Sequence, residues 1–303
     1  LASACRSGKV IGKHLITTHM KLIITTVFFC VLMAVVSAGA DQQTRDTGSN
    51  PDIVWQKLSE GLELGFFHSP HPSETGDSMI RVLRIEPDRY KLRLLNASAY
   101  ENGRPLSAKE WCRQNGLVAA INASMYQADL KASVSLMRTK SHINNPRLSK
   151  DMAILAFDRH SPNVPLVKII DRQCEDFKTW GKKYKTLIQS IRMSCCKGKN
   201  VCVQQTQKWS TAAIAVDHLG RVLFIHVGSF YSTHDLINIL KKLPLNIDRA
   251  MYVEGGPPAQ LYINIGTHEH EFVGNYKIDI EENMNALFSR PIPNVVGISL
   301  RKD

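Results

Sequence analysis

The sequence predicts an α/β protein of the mixed α+β kind: a single domain with a twisted mixed β-sheet at its core and a few helices packed on it. Three observations lead there. Apolar runs of strand length follow one another down the chain, namely "MAILAF", "VPLVKII", "YKTLIQSI", "TAAIAVD", "RVLFIHV", "AMYVE" and "QLYINI". Only two segments carry helix start and stop signals. No Pro/Gly/Ser linker interrupts residues 53–303, and 44% hydrophobic residues are enough to fill a large core.

The amino-terminal part stands outside that domain. From Met20 the chain reads Lys21, an apolar run Leu22 to Val36, then Ala38 and Ala40 at signal-peptidase spacing. Residues 20–40 are therefore expected to be a signal peptide, residues 1–19 an upstream translation artefact, and the polar residues 41–52 a disordered leader. The apolar run is short of the roughly 20 residues a spanning helix needs, so no stable membrane span is expected after cleavage. The destination is periplasmic or secreted.

In order, "MIRVLRIEP" and "YKLRLLNAS" are alternating strands whose junction at Pro87-Asp88 predicts a hairpin. "SAKEWCRQNG" is a helix, with Ser107 and Glu110 at capping-box spacing and Gly116 at its stop. "LVAAI" is a buried strand that delivers Asn122 to a loop. Asp217 to Arg221 is a tight turn between two strands, and "STHDLINILKKL" is a second helix capped by Ser232 and closed before Pro244.

Removal of the leader leaves five cysteines, Cys112, Cys174, Cys195, Cys196 and Cys202, in a compartment where thiols oxidise. The cluster "CCKGKNVC" offers sulfurs but no nearby histidine, so a local disulfide to Cys202 is expected rather than zinc. The formal charge of +11 falls to +7 without the first 40 residues, an excess suited to phosphorylated or acidic glycans. Basic residues are scattered, and no nucleic-acid-binding pattern accompanies them. The chain is expected to be a monomer.

The stretch "AMYVEGGPPAQLYI" places Glu254 at a strand end, directly before Gly255 and Gly256, where the backbone can approach a ligand with no Cβ in the way. Together with "INASMY", "IQS" and "AIAVDHLGRVLFI", this stretch resembles the phosphodiester glycosidase family from about Trp111 to the C-terminus. The resemblance implies a mixed α/β domain that cleaves a sugar from a phosphodiester at the glycosidic C–O bond, with no organic cofactor. It also implies site residues: Asn122 and Tyr126 match one loop of the family, Gln189 and Ser190 its Gln-Ser segment, and Glu254, Gly255 and Gly256 its Asp-Gly-Gly. Glu254 stands for the usual Asp, Pro258 for a Ser, and Ser124 and Ile191 for glycines, while an arginine before the "AIAV" strand is missing.

Glycoside cleavage ordinarily uses two carboxyl groups, but phosphate leaves readily, so one carboxylate, an anion clamp and a polar floor are sufficient. Glu254 is assigned as base or oxocarbenium stabiliser, Arg192 as the cation facing phosphate, and Asn122 as a polar partner in the catalytic set. Tyr126, Gln189, Ser190, Gly255, Gly256 and, at the first turn of the second helix, His234 are assigned to substrate binding. No metal is assigned; Asp217 and Asp235 are read as cation ligands or as turn and cap residues. His226 reads as a buried strand histidine, and "HEHEF" as a solvated strand. The expected function is that of an exported hydrolase of sugar-1-phosphodiesters, with a non-catalytic glycan- or phosphate-binding protein on the same fold as the alternative. Asn96 and Asn122 each begin an Asn-Ala-Ser sequon.

Overall fold

A computed structural model describes residues 54–275 and 290–301, which lie in one compact unit. The expected signal peptide, its upstream segment and the leader lie outside the described residues. Among the described residues, no helix is long and apolar enough to cross a membrane.

The fold is a two-sheet assembly that is more β than α/β. The large sheet has 11 strands. Its main path runs β1 (Val54–Ser59), β2 (Leu62–His68), β3 (Met79–Ile85), β12 (Val222–Tyr231), β11 (Trp209–Asp217), β13 (Ile247–Gly255), β10 (Tyr184–Arg192), β6 (Met137–Arg138) and β7 (Ile143–Asn145). β8 (Ala153–Arg159) and β9 (Val167–Asp171) branch from β10. The small sheet has 5 strands, β15 (His268–Val273), β14 (Gln260–Ile265), β5 (Ala119–Asn122), β16 (Asn294–Leu300) and β4 (Tyr90–Asn96). The helices are α1 (Ala108–Asn115), α2 (Phe177–Trp180) and α3 (Thr233–Lys242), with short 3₁₀ turns at Ala97–Ala99 and Gly181–Lys183.

All ladders between these strands are antiparallel, which corrects the expected mixed sheet. Short connections such as the Asp217 turn join neighbours directly, whereas a parallel pair would need a long crossover. In that turn, Asp217 accepts from the amides of Leu219 and Arg221 and pairs with the Arg221 guanidinium at 2.7 Å. The expected β3–β4 hairpin is also corrected. β3 already has β2 and β12 on its two edges, so at Pro87-Asp88 the chain crosses to the small sheet, where β4 pairs with β16.

Period-two alternation sorts the strand side chains into layers. Along β11, Ala212, Ile214 and Val216 face the core between the sheets, whereas Ala213 and Ala215 face α3. α3 covers that outer face with Leu236, Ile237 and Leu240, all fully buried, each worth about 1.5–3 kcal/mol. α1 packs Trp111 and Cys112 on the small sheet against Ala120, Tyr262 and Val295. Both helices start as their sequences dictate: Ser107 and Glu110 form a capping box, and Ser232 accepts from the Asp235 amide. Gly116 ends α1 at φ +61°, a left-handed position that suits glycine.

Cys174 and Cys196 form a disulfide, and Cys195 is a free thiol, so the expected local bond from this pair to Cys202 is not made. Cys196 lies beside β9 rather than across its own turn, because its amide donates to Asp171 Oδ2 at 3.0 Å.

Candidate active site around Glu254

β13 ends in an irregular pairing. Ala212 of β11 faces Glu254, but Ala213 faces Tyr252, so Val253 is an inserted residue and the strand is bulged at the acid. Bulges bend a strand and re-aim the side chain that follows. Beyond Glu254 the backbone turns at Gly256, φ +70°, and the turn closes through the Ala259 amide on the Gly256 carbonyl at 3.0 Å. Gly255 is required by its neighbours: a Cβ there would lie 1.9 Å from the Tyr252 hydroxyl and 2.6 Å from Trp209 Cδ1.

Asn122 fixes this loop. Its Nδ2 donates to the Pro258 carbonyl at 2.9 Å, and its Oδ1 accepts from the Gln260 amide at 2.7 Å. Gln260 extends the network: its Oε1 accepts from the Ala108 amide at the start of α1 and its Nε2 donates to the Arg290 carbonyl. Asn122 and Asn96 are 1% and 2% exposed, and Asn96 donates to Asn294 at 2.7 Å.

Glu254 retains some solvent-accessible surface but is closely surrounded by protein atoms. Loss of hydration pushes its carboxyl up to about 7, opposed by one hydrogen bond from the Gly255 amide at 2.9 Å. Two tyrosines sense its charge. Tyr126 is pushed up to about 12 by burial and then by Glu254, with Arg290 acting in the opposite direction. Tyr252 is raised well above the usual phenol value, by burial first and Glu254 second. Glu254, Tyr126, Tyr252 and Arg290 therefore share one electrostatic neighbourhood.

Other expected site residues are engaged elsewhere. Arg192 donates to Asp171 and, at 2.6 Å, to Gln173. Gln189 accepts from the amides of Leu136 and Ser149 and donates to the carbonyls of Ser149 and Asp151. Ser190 donates to the Tyr252 carbonyl at 2.5 Å, from the strand next to the one that bears Glu254. His234 contacts Asp235 at 3.3 Å on α3. The Asp235 carboxylate accepts from Ser232 at 2.7 Å and Asp217 serves its turn, so both acids act as cap and turn residues. None of Asn122, Gln189 and Arg192 makes a hydrogen bond to Glu254 among the described residues.

Cross-strand register sets Arg81, His226, Ala212 and Glu254 side by side across β3, β12, β11 and β13. At about 4.8 Å per strand, His226 and Glu254 are separated at the backbone by about 10 Å, with one alanine between them. A pocket of about 360 Å³ opens at the other end of this row, lined by Asp77, Arg81, His226, Phe272 and Asn275. His226 is 1% exposed, faces the Ala259 carbonyl through Nε2 at 3.3 Å, and is pushed down to about 3 by burial and by Arg81. It is neutral at physiological pH. Sequence reasoning missed Arg81 and Arg290, which lie in no motif, and Tyr252, which lies in the Glu254 stretch but reads there as a strand residue; the alignment of β3 with β12 and the tether from Gln260 exist only in the folded chain.

Residues 115–299 match the phosphodiester glycosidase family. The chain belongs to that family. Its fold is similar to the catalytic domain of zebrafish N-acetylglucosamine-1-phosphodiester α-N-acetylglucosaminidase, described as auto-inhibited by its pro-peptide, with a TM-score of 0.56 and 13% identity over 81% of this chain and 86% of that one. A hypothetical protein from Synechocystis matches with a TM-score of 0.54 and 13% identity, over 84% of this chain and 64% of that one. No curated protein sequence matches the chain. In this member of the family, Glu254 stands at the end of β13, where the apolar run before it predicts a strand end.

Proposed function

We propose that this protein is an exported hydrolase that cleaves the glycosidic bond of a sugar-1-phosphodiester in a phosphorylated or acidic glycan. The observation that carries the reading is a single carboxyl at the bulged end of β13, held near pH 7 within a glycosidase family. Ionised Glu254 takes a proton from water as the water oxygen bonds the anomeric carbon. The C–O bond breaks with its electron pair on the phosphate oxygen, giving a free sugar and a phosphomonoester. A phosphate leaving group is a weak base, so a second carboxyl is dispensable. Arg290, rather than Arg192, is the cation assigned to the phosphate, and Tyr126 stays protonated as a hydroxyl donor. No step requires an organic cofactor. Export is supported by the Cys174–Cys196 disulfide, a bond favoured in oxidising compartments.

The test is release of free sugar from a panel of methyl sugar-1-phosphodiesters. Glu254→Gln should lower turnover by about 10²–10⁴-fold with folding intact, the usual contribution of a general base. Turnover that survives the substitution would remove Glu254 from the reaction. Glycan binding by wild type without any turnover would identify a binding protein instead.

A further inference from the structure

Far from Glu254, a cleft of about 940 Å³ opens where β4 and β16 of the small sheet meet the ends of β8, β9 and β10. Five cations line it, Lys91, Arg93, Arg159, Lys185 and Arg301, against one acid, Asp158. None of the five forms a salt bridge among the described residues. The three arginines are oriented by backbone carbonyls instead: Arg93 by Asn115 at 2.8 Å, Arg159 by Pro162 and Val164 at 2.8 and 2.6 Å, and Arg301 by Pro87 at 2.7 Å. Carbonyl anchors hold the guanidinium groups without neutralising them, so ordering entropy is spent at folding rather than at binding. Asp158 is engaged by the Thr186 hydroxyl at 2.6 Å.

Concentrated, oriented and uncompensated positive charge raises the local concentration of anions and binds them with strong salt dependence. The cleft has room for several residues of an extended chain. Its apolar lining is aliphatic apart from Phe157, which is 2% exposed, so no aromatic face is presented on which nucleic-acid bases could stack. Lys185 is the second residue of β10, whereas Ile191 near the other end of that strand pairs with Tyr252, two residues before Glu254. At about 3.4 Å per residue, the cleft and the acid are about 20 Å apart along the sheet.

We propose that this cleft is a second binding site, an exosite that grips an anionic glycan chain through its repeating phosphates or carboxylates while another part of the polymer reaches Glu254. The site goes beyond the proposed hydrolysis, and its test is a binding measurement that needs no turnover. Fluorescent glycerol-phosphate oligomers, oligogalacturonates and single-stranded oligonucleotides of equal charge serve as probes for wild type and for Lys91→Glu/Lys185→Glu, whose side chains make no hydrogen bond among the described residues. Arg159→Gln, checked by thermal melting, is the second variant. One of the glycan probes should bind wild type and weaken as salt rises, and the double variant should weaken it at least tenfold, with unchanged turnover of a methyl sugar-1-phosphodiester. Preference between the two glycan probes identifies phosphate or carboxylate as the ligand group. Unchanged binding in both variants, binding of neither glycan, or tighter binding of the oligonucleotide would each overturn the proposal.

Discussion

Arg192 Nη1 donates to both carboxylate oxygens of Asp171, at 2.7 and 2.9 Å, in a pair whose acid is 1% exposed. Removing one member of a buried pair leaves the other charge uncompensated and costs about 3–5 kcal/mol. Arg192→Met should therefore lower the melting temperature, with little change in KM for the enzyme that remains folded. A raised KM at unchanged stability would return Arg192 to the phosphate.

Glu254 makes both activity and stability depend on pH. As the base it must be ionised, so kcat/KM should rise with pH through about 7. Stability runs the other way. The folded state holds this proton more tightly than the unfolded chain, whose carboxyl titrates near 4.5. Below that value both states are protonated; as pH rises through about 7 the wild type loses up to about 3 kcal/mol. Glu254→Gln should accordingly melt above wild type at pH 8 and level with it at pH 4, and a variant that melts below wild type at pH 8 contradicts the buried position of the acid.

Gly255→Ala would drive a methyl group into the space occupied by the Tyr252 hydroxyl and the Trp209 ring. The loop must then shift away from the two aromatic rings, taking Glu254 with it. Activity should fall at least as far as in Glu254→Gln while Trp209 fluorescence changes. Full activity would show that the loop position is not needed.

The Cys174–Cys196 bond closes a loop at a sequence separation of 22 that contains Arg192 and ends beside Asp171. By chain entropy such a link is worth about 3 kcal/mol. Cys174→Ala/Cys196→Ala should lower the melting temperature in proportion, and reducing agent should do the same to wild type.

Local signals in the sequence were read in full where one residue determines one geometry. Ser107, Gly116 and Ser232 mark helix ends because a hydroxyl cap and a left-handed glycine act on the nearest amides. Glu254 stood out because an acid before two glycines has little structural purpose in a strand. What failed was pairing. β3 and β4 alternate as a hairpin would, and nothing within either strand says that β12 has already taken the free edge of β3. The same limit hid the site partners: Arg192 lies two residues from Ser190, yet Asp171, on a strand that does not neighbour β10, claims it. Arg290 is held near Tyr126 with its carbonyl tied to Gln260, 30 residues earlier in the chain. Long-range register, which no local pattern encodes, decided each of these.

Both sequons are sealed inside the folded protein, since Asn96 and Asn122 are almost wholly buried and spend their amides on internal partners. An oligosaccharide attached to either amide during synthesis could not be accommodated, and at Asn122 it would abolish the clasp on the Pro258–Gln260 segment. Manufacture in a host that decorates nascent secreted chains should thus yield misassembled material, whereas Ser98→Ala and Ser124→Ala, which erase the acceptor motifs and leave both asparagines in place, should restore a native yield.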